Sequence, residues 1–182
     1  METRTVLVYQ GMIPNIISKR LQSMHLDRID FAILRELRKN ARLPNKTLAE
    51  RIGVAPSTAL ERVRRLREGG AIQGFHAEIQ PRSVGIGLQA MISVRLARHA
   101  RADLDAFHTY LLTLREVLSF YHVAGVNDYL VHVAVHDSDH LRDFALDAFT
   151  TRPEVAHIET SLIFNFYRNA DLPVYLEGEE NG

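Results

Sequence analysis

A glycine and a proline three residues apart, Gly53 and Pro56, divide the segment 45–68 into two helix-length stretches. Glycine ends a helix readily because it adopts the left-handed conformation, and proline suits a first helical turn because that turn needs no donor from it. The spacing predicts a short helix that begins at Asn45, with that residue as its cap, and a second helix from Pro56 to about Glu68. Two helices joined by so tight a turn are typical of a helix-turn-helix.

An amphipathic stretch precedes this pair of helices. Apolar residues recur at helical spacing from Leu26 to Leu37, and Asp27 stands where an N-terminal cap belongs. We therefore predict a helix over residues 28–39, with Asp30 placed favourably for the helix dipole in its first turn.

The helix that begins at Pro56 has two chemically distinct faces. Ala59, Val63 and Leu66 predict an inner face. The opposite face carries Ser57, Thr58, Glu61, Arg62 and Arg65, with Arg64 at its edge. Arginine contacts guanine edges or phosphates, and hydroxyls reach either, so this face suits the DNA major groove. A small helical bundle with solvated arginines is the alternative.

Charge is unevenly distributed although its sum is zero. Residues 27–83 hold 12 Lys/Arg against 7 Asp/Glu, whereas residues 84–182 hold 7 against 14. The basic part favours contact with a polyanion. The absence of Cys excludes a disulfide scaffold and a thiol catalyst, and no apolar run approaches the ~20 residues of a membrane span.

The second half of the chain alternates strands and helices. Residues 71–79 alternate like a strand and predict a linker, and Ser138 is expected to cap the second helix of this half. The order βαββαβ predicts a ferredoxin-like α+β sandwich. Its strands are predicted at 88–96, 117–123, 129–136 and 155 to about 167, and its helices at 103–114 and about 139–151.

The segment before the first helix shows no secretory signal, because a long apolar core and a small-residue cleavage site are both lacking. Either Met24 is the true start, or the segment is an ordered arm that pairs with a neighbouring chain. The predicted organisation is an N-terminal extension (1–25), a helix-turn-helix domain (26–70), a strand linker (71–85), a ferredoxin-like domain (86–168) and an acidic tail (169–182).

Three stretches, Leu26–Asp30, Asn45–Gly53 and Pro56–Leu66, strongly resemble the leucine-responsive regulator/asparagine regulator (Lrp/AsnC) family of bacterial and archaeal transcription regulators. The second half resembles that family's amino-acid-sensing RAM domain, and the loop 125–129 is similar to its Gly-x-x-Asp-Tyr effector motif. The resemblance implies a winged helix-turn-helix, a RAM domain and assembly into dimers, tetramers or octamers. Ala55 departs from it, because the family commonly has a capping Ser there.

Two sites follow from these patterns, one for DNA and one for an effector. For Arg64, the alternative to a DNA contact is an ion pair with Glu61 or Glu68. For the loop 125–129, the alternative to an effector site is an ordinary hairpin connection. The predicted DNA contacts are Asn45, Lys46, Ser57, Thr58, Glu61, Arg62, Arg64 and Arg65. The predicted effector contacts are Gly125, Val126, Asn127, Asp128 and Tyr129, with Thr160 and Ser161 on the last strand.

We expect a sequence-specific DNA-binding regulator in the cytoplasm, associated with the nucleoid. Its assembly or DNA affinity responds to an amino acid or related small molecule, and its partners are double-stranded DNA, that effector and copies of itself. We expect neither a cofactor nor a metal, because the nine histidines show no metal-ligand pattern and no catalytic motif is present. The alternatives are an enzyme like the siroheme decarboxylases, which resemble this family, and a sensor or scaffold that does not bind DNA.

Overall fold

The computed structural model describes residues 25–167 and 169. The predicted extension up to residue 24 and most of the predicted acidic tail lie outside them. The described residues divide into a helical unit that ends at Glu78 and a sheet unit from Ile79 to Phe166. No helix in the described part of the chain is both long and apolar enough to cross a membrane.

The helical unit begins with α1, Arg28–Lys39, which has the predicted bounds. The Asp27 carboxylate accepts the backbone N–H groups of Ile29 and Asp30 at 2.9 Å, and the Asp30 carboxylate accepts the N–H of Asp27 at 3.1 Å. This reciprocal arrangement is a capping box, which satisfies donors that the first turn would otherwise leave unpaired.

Two further helices, α2 (Asn45–Ile52) and α3 (Pro56–Glu68), form the predicted helix-turn-helix. Gly53 ends α2 with φ 71°, the left-handed conformation expected there. The prediction that Asn45 caps α2 is wrong. Pro44 occupies the cap position, and the Asn45 amide instead donates to the carbonyl of Pro56 at 2.7 Å.

The three helices share a small apolar core. Ile33, Leu48 and Leu66 are buried, one from each helix, and Val63 packs against them. The inner face predicted for α3 is therefore confirmed, and its opposite face remains open to solvent.

The sheet unit contains four antiparallel strands in the order β2-β3-β1-β4, with the helices packed on one face. This arrangement confirms the predicted ferredoxin-like α+β fold. Its elements are β1 (Leu88–Leu96), α4 (Arg101–Thr113), β2 (Val117–His122), β3 (Tyr129–Val135), α5 (Ser138–Ala145), a π-helical turn (Leu146–Thr150) and β4 (Val155–Leu162).

The core of the sheet unit lies between one sheet face and the helices. Alternate residues of β1, among them Ile92 and Val94, are buried there with Val131 of β3. Phe107 of α4 and Phe149 of the π-helical turn cover them, with ring centroids 6.4 Å apart. The predicted period-2 pattern of β1 is confirmed.

Some local predictions fail where they depend on partners remote in sequence. Residues 71–79 form no strand, because no strand of the described chain lies beside them to complete a ladder. The last strand ends at Leu162 rather than near Tyr167, since Leu162 pairs with Ala90 and little of β1 extends beyond that pair. The helix predicted over 139–151 passes into the π-helical turn at its end.

The predicted cap Ser138 is also wrong. Asp137 occupies the cap position of α5, and its carboxylate accepts the N–H of His140 at 2.9 Å. Asp and Ser have similar cap preferences, so sequence alone did not separate these two neighbours.

Candidate nucleic-acid interface and ligand-binding loop

The outward face of α3 forms a shallow, open concavity. The five residues that line it are Ser57, Thr58, Glu61, Arg62 and Arg65, the set that helical spacing placed together. Ser57 and Thr58 are exposed in the first turn of the helix. The concavity therefore offers hydroxyls at one end and a guanidinium at the other.

Arg62 differs from its predicted orientation. Its Nη1 lies 2.7 Å from Asp27 Oδ2 and 3.0 Å from Asp30 Oδ1, and its side chain is only 23% exposed. These hydrogen bonds, to Asp27 first and then Asp30, raise the pKa of Arg62. The pKa of Asp27 is lowered by the backbone N–H of Asp30 and then by Arg62. Arg62 therefore turns toward α1 because two carboxylates attract it there.

Arg65 is held less completely. It donates through Nη2 to Asp30 Oδ2, and its side chain remains 46% exposed. Asp30 is fully buried, and its carboxylate accepts hydrogen bonds from both Arg62 and Arg65. A buried carboxylate requires such partners because leaving it unpaired is costly.

Arg64 forms the intramolecular pairs that were its alternative. Its guanidinium lies 2.6 Å from Glu61 Oε1 and 2.7 Å from Glu68 Oε1, with all three side chains exposed. These hydrogen bonds raise the pKa of Arg64 and lower that of Glu61. Exposed pairs of this kind are weak and exchange readily with other partners.

The start of α2 places the other two predicted DNA contacts differently. Lys46 is exposed, whereas Asn45 is half-buried and its amide is engaged with Pro56. Asn45 thus ties the start of α2 to the start of α3. Whether any of these residues touches DNA stays a prediction.

The loop between β2 and β3 is attached to β1 by Asp128. Its carboxylate accepts the N–H of Leu96 at 2.7 Å and lies 3.0 Å from His99 Nε2, so the side chain is only 13% exposed. Its backbone N–H donates to the carbonyl of Val94 at 2.9 Å. Asp128 therefore holds the loop in place with both its side chain and its backbone.

The remaining predicted effector residues separate into exposed and buried ones. Gly125 has φ 140°, a conformation that favours glycine, and Val126 is 79% exposed. Asn127 is half-buried. Tyr129 lies in the core, where burial raises its pKa and its hydroxyl donates to the carbonyl of Leu104 at 3.2 Å.

Thr160 and Ser161 do not converge on one face of the sheet. Thr160 pairs with Ile92, whose side chain faces the helices, and Ser161 pairs with Met91 on the opposite face. Because neighbouring strand residues point to opposite faces, these two hydroxyls cannot line the same one-sided site within a single chain.

The sequence pattern did not place Asp30 in this site, because it assigned that residue only a favourable charge for the helix dipole. The signal was present in the spacing, since Asp30 falls within the apolar stripe formed by Leu26, Ile33 and Leu37. An acidic residue on a buried stripe needs a cationic partner. Among residues 25–167 and 169, no three His, Asp or Glu side chains converge in a way that would hold a metal ion.

The fold and the site together define a class of protein. A helix-turn-helix with an exposed polar face on its second helix has the architecture of a DNA-binding unit, and the ferredoxin-like unit that follows it is a second module. The chain therefore has the architecture of a two-module DNA-binding protein.

Comparisons with known proteins agree with this class. Residues 26–73 match the winged helix-turn-helix DNA-binding family, and residues 89–171 match the Lrp/AsnC ligand binding domain. The chain is 45% identical over 152 residues to the HTH-type transcriptional regulator AldR of Mycolicibacterium smegmatis, covering 84% of this chain and 89% of that protein. It is 34% identical over 146 residues to the leucine-responsive regulatory protein of Escherichia coli K12, covering 80% and 89%.

Solved structures show the same relationship. A transcriptional regulator of Neisseria meningitidis in complex with L-Met superposes with a TM-score of 0.76 at 32% identity, covering 82% of this chain and 97% of that one. Escherichia coli AsnC superposes with a TM-score of 0.72 at 26% identity, covering 80% and 98%. The chain belongs to the Lrp/AsnC family of transcriptional regulators. The predicted family, fold and regulatory function are confirmed.

Proposed function

We propose that this regulator reads its operator through the first turn of α3 and that an amino acid alters its assembly or its DNA affinity. The observation that carries the first part is the exposed pair Ser57 and Thr58 at the start of a helix whose inner face is buried. In a helix-turn-helix, the N-terminal residues of the second helix contact base edges in the major groove. Hydroxyls at that position reach bases or phosphates.

The cations divide into different roles under this proposal. Arg65 and Lys46 are exposed and contact phosphates, whereas Arg62 is occupied by two carboxylates within the fold. Arg64 contacts phosphate only by exchanging its partners Glu61 and Glu68. The protein therefore neutralises fewer phosphates than its count of arginines in α3 implies.

The effector proposal rests on the relatives. The Neisseria regulator was solved with L-Met, and the Escherichia coli relative is named for its response to leucine. We propose an L-amino acid whose polar groups meet the loop around Gly125, where the exposed backbone allows close approach. Asp128 positions this loop, because its carboxylate is already engaged by Leu96 and His99.

Assembly supplies the link between effector and DNA. We propose dimers that associate further into tetramers or octamers at the nucleoid, so that several helix-turn-helix units engage DNA together and gain avidity. An effector shifts this equilibrium only if it binds the two assemblies unequally. We propose no enzymatic role, since the relatives named above are transcriptional regulators.

Fluorescence anisotropy tests the DNA part. The full chain is titrated onto a duplex from the region upstream of its own gene and onto a scrambled duplex, each at two salt concentrations. In vitro selection from a random duplex library supplies a site if the upstream region is not bound. We expect tighter binding to the specific duplex, and equal binding to every duplex would contradict sequence-specific recognition.

A pair of matched variants assigns the contact. Thr58→Ala removes one hydroxyl from the start of α3, and Thr109→Ala removes one from the exposed surface of α4. We expect the first to weaken operator binding about tenfold, the worth of one good base contact. The second should leave binding unchanged. Equal affinities for both variants would show that Thr58 does not contact the operator.

Sedimentation velocity with a panel of L-amino acids, including Met and Leu, tests the effector part. We expect one of them to change the assembly state of the wild type and not that of Gly125→Ala. An effector response that survives this change would place the ligand elsewhere. Incubation with siroheme should release no carbon dioxide and leave its carboxylates intact, and decarboxylation would establish the enzyme alternative.

A further inference from the structure

We propose that Asp30 is a positioning residue for operator recognition: it sets the rotation of α3 and holds Arg65 ready for DNA without touching DNA itself. This inference rests on the proposed function, since it explains how the same face of α3 is oriented. The observation behind it is the cluster of Asp27, Asp30, Arg62 and Arg65 that joins α1 to α3.

Both carboxylate oxygens of Asp30 accept hydrogen bonds from other residues. Oδ1 accepts from Arg62 at 3.0 Å, and Oδ2 accepts from Arg65 and from the N–H of Asp27 at 3.1 Å. The side chain of Asp30 has no solvent exposure. A buried anion cannot exchange these partners for water, so the two arginines of α3 are attached to one fixed point on α1.

The apolar contacts between the helices cannot supply this orientation by themselves. Ile33 and Leu66 bury apolar surface between α1 and α3, but the hydrophobic effect is non-directional. Charged hydrogen bonds have preferred distances and angles and therefore oppose rotation. Arg62 and Arg65, three residues apart on the same face, give two such bonds to Asp30.

The required precision follows from helix dimensions. Side-chain tips lie roughly 5 Å from the helix axis, so a rotation of about 20° moves them by nearly 2 Å. A hydrogen bond does not survive such a displacement. Small rotations of α3 would therefore break contacts made by Ser57 and Thr58 while the helix-turn-helix stays folded.

Arg65 has a second role in this arrangement. One of its five N–H donors is bound by Asp30, and the side chain is still 46% exposed. Attachment on one side restricts its rotamers before DNA arrives, which reduces the entropy lost on binding. Asp30 thus lowers the net positive charge near DNA and still favours the correct complex.

The test compares Asp30→Asn with Glu36→Gln in the full chain. Both variants are close in shape to the wild type, lie on α1 and remove one negative charge. Glu36 pairs with Arg51 of α2 at 2.7 Å, away from α3. Affinities for the selected operator and for a scrambled duplex are measured by anisotropy, and thermal unfolding of each variant is recorded beside them.

We expect Asp30→Asn to lower the ratio of operator affinity to scrambled-duplex affinity about tenfold, equivalent to one misplaced base contact. Its scrambled-duplex affinity should be unchanged or higher, because the variant is more positive. Glu36→Gln should keep the wild-type ratio. A merely structural Asp30 would lower the unfolding temperature and leave the ratio of the folded variant unchanged, which overturns the inference.

Arg62→Lys keeps the test decisive if Asp30→Asn does not fold. It preserves charge, so binding to the scrambled duplex and its salt dependence should match the wild type. The operator ratio should fall, because the lysine side chain is shorter than that of arginine and ends before the position of Nη1, from which Arg62 donates to both carboxylates. A wild-type ratio in this variant overturns the inference alone. A wild type that prefers no sequence overturns the proposed function, and the inference with it.

Discussion

The start of α3 lacks a side-chain cap, and supplying one should stabilise the helix. Ala55 occupies the cap position with extended dihedrals, φ −67° and ψ 146°, and its carbonyl accepts the N–H of Ala59 at 3.0 Å. Pro56 has no N–H. The first-turn donors that remain are those of Ser57 and Thr58, and no side chain in the described part of the chain caps this helix.

Ala55→Ser places a hydroxyl oxygen where it can accept one of these two donors. Because the backbone already has the cap conformation, no rearrangement offsets the gain. We expect the helical unit to be stabilised by about 1 kcal/mol, the usual value of a Ser cap relative to Ala. This corresponds to roughly fivefold slower exchange of the α3 amides when exchange proceeds through opening of the unit.

Amide hydrogen exchange of the full chain, followed by NMR, measures this difference residue by residue. Ala41→Ser is the matched control, because Ala41 is exposed in the turn between α1 and α2 and caps no helix. It should leave the exchange of α3 unchanged. Identical exchange in Ala55→Ser and the wild type would refute the argument that the uncapped donors weaken α3.

Three further outcomes are expected. Gly53→Ala should cost about 1 kcal/mol from backbone strain at φ 71°, since its new methyl group meets open space, and the urea midpoint should fall. Phe107→Ala should cost about 3–5 kcal/mol in calorimetry of the full chain, because the ring is fully buried. The pKa of Asp27 is lowered in the folded state. The stability that this carboxylate contributes is therefore complete above its unfolded pKa of about 3.9 and is lost as the pH falls through its lower pKa in the folded state. Between pH 5 and pH 3 the unfolding temperature should fall less in Asp27→Asn than in the wild type, and equal decreases would contradict this assignment.

Helix and strand positions were largely predictable because local signals are strong here. Asp27 and Gly53 marked helix ends by their own conformational preferences, and the alternation along 88–96 identified β1. The two strand predictions that failed share a cause. The strand predicted over 71–79 and the extra length of β4 both depend on a neighbouring strand that a sequence pattern cannot supply.

The sequence predicted which residues share a surface at each candidate site, but not what each individual side chain does there. Helical spacing correctly grouped the five residues of the α3 concavity, because residues three and four apart share a face. It could not show that Arg62 turns toward α1, since the attracting carboxylates lie 35 and 32 positions earlier in the chain. The burial of Tyr129 likewise depends on packing against Leu104 and Phe107.

The sequence by itself determined the order of the elements and the basic helix-turn-helix, because periodicity, caps and turn residues act over a few positions, and its motifs carried the resemblance to the family. Tertiary structure decided which charged groups face solvent and which are paired with other charged groups inside the fold. Asp30 and Arg62 belong to different helices, and their charges are neutralised only when apolar packing brings those helices together. The cationic surface of α3 is therefore a property of the folded chain, and it is smaller than a count of arginines in α3 suggests.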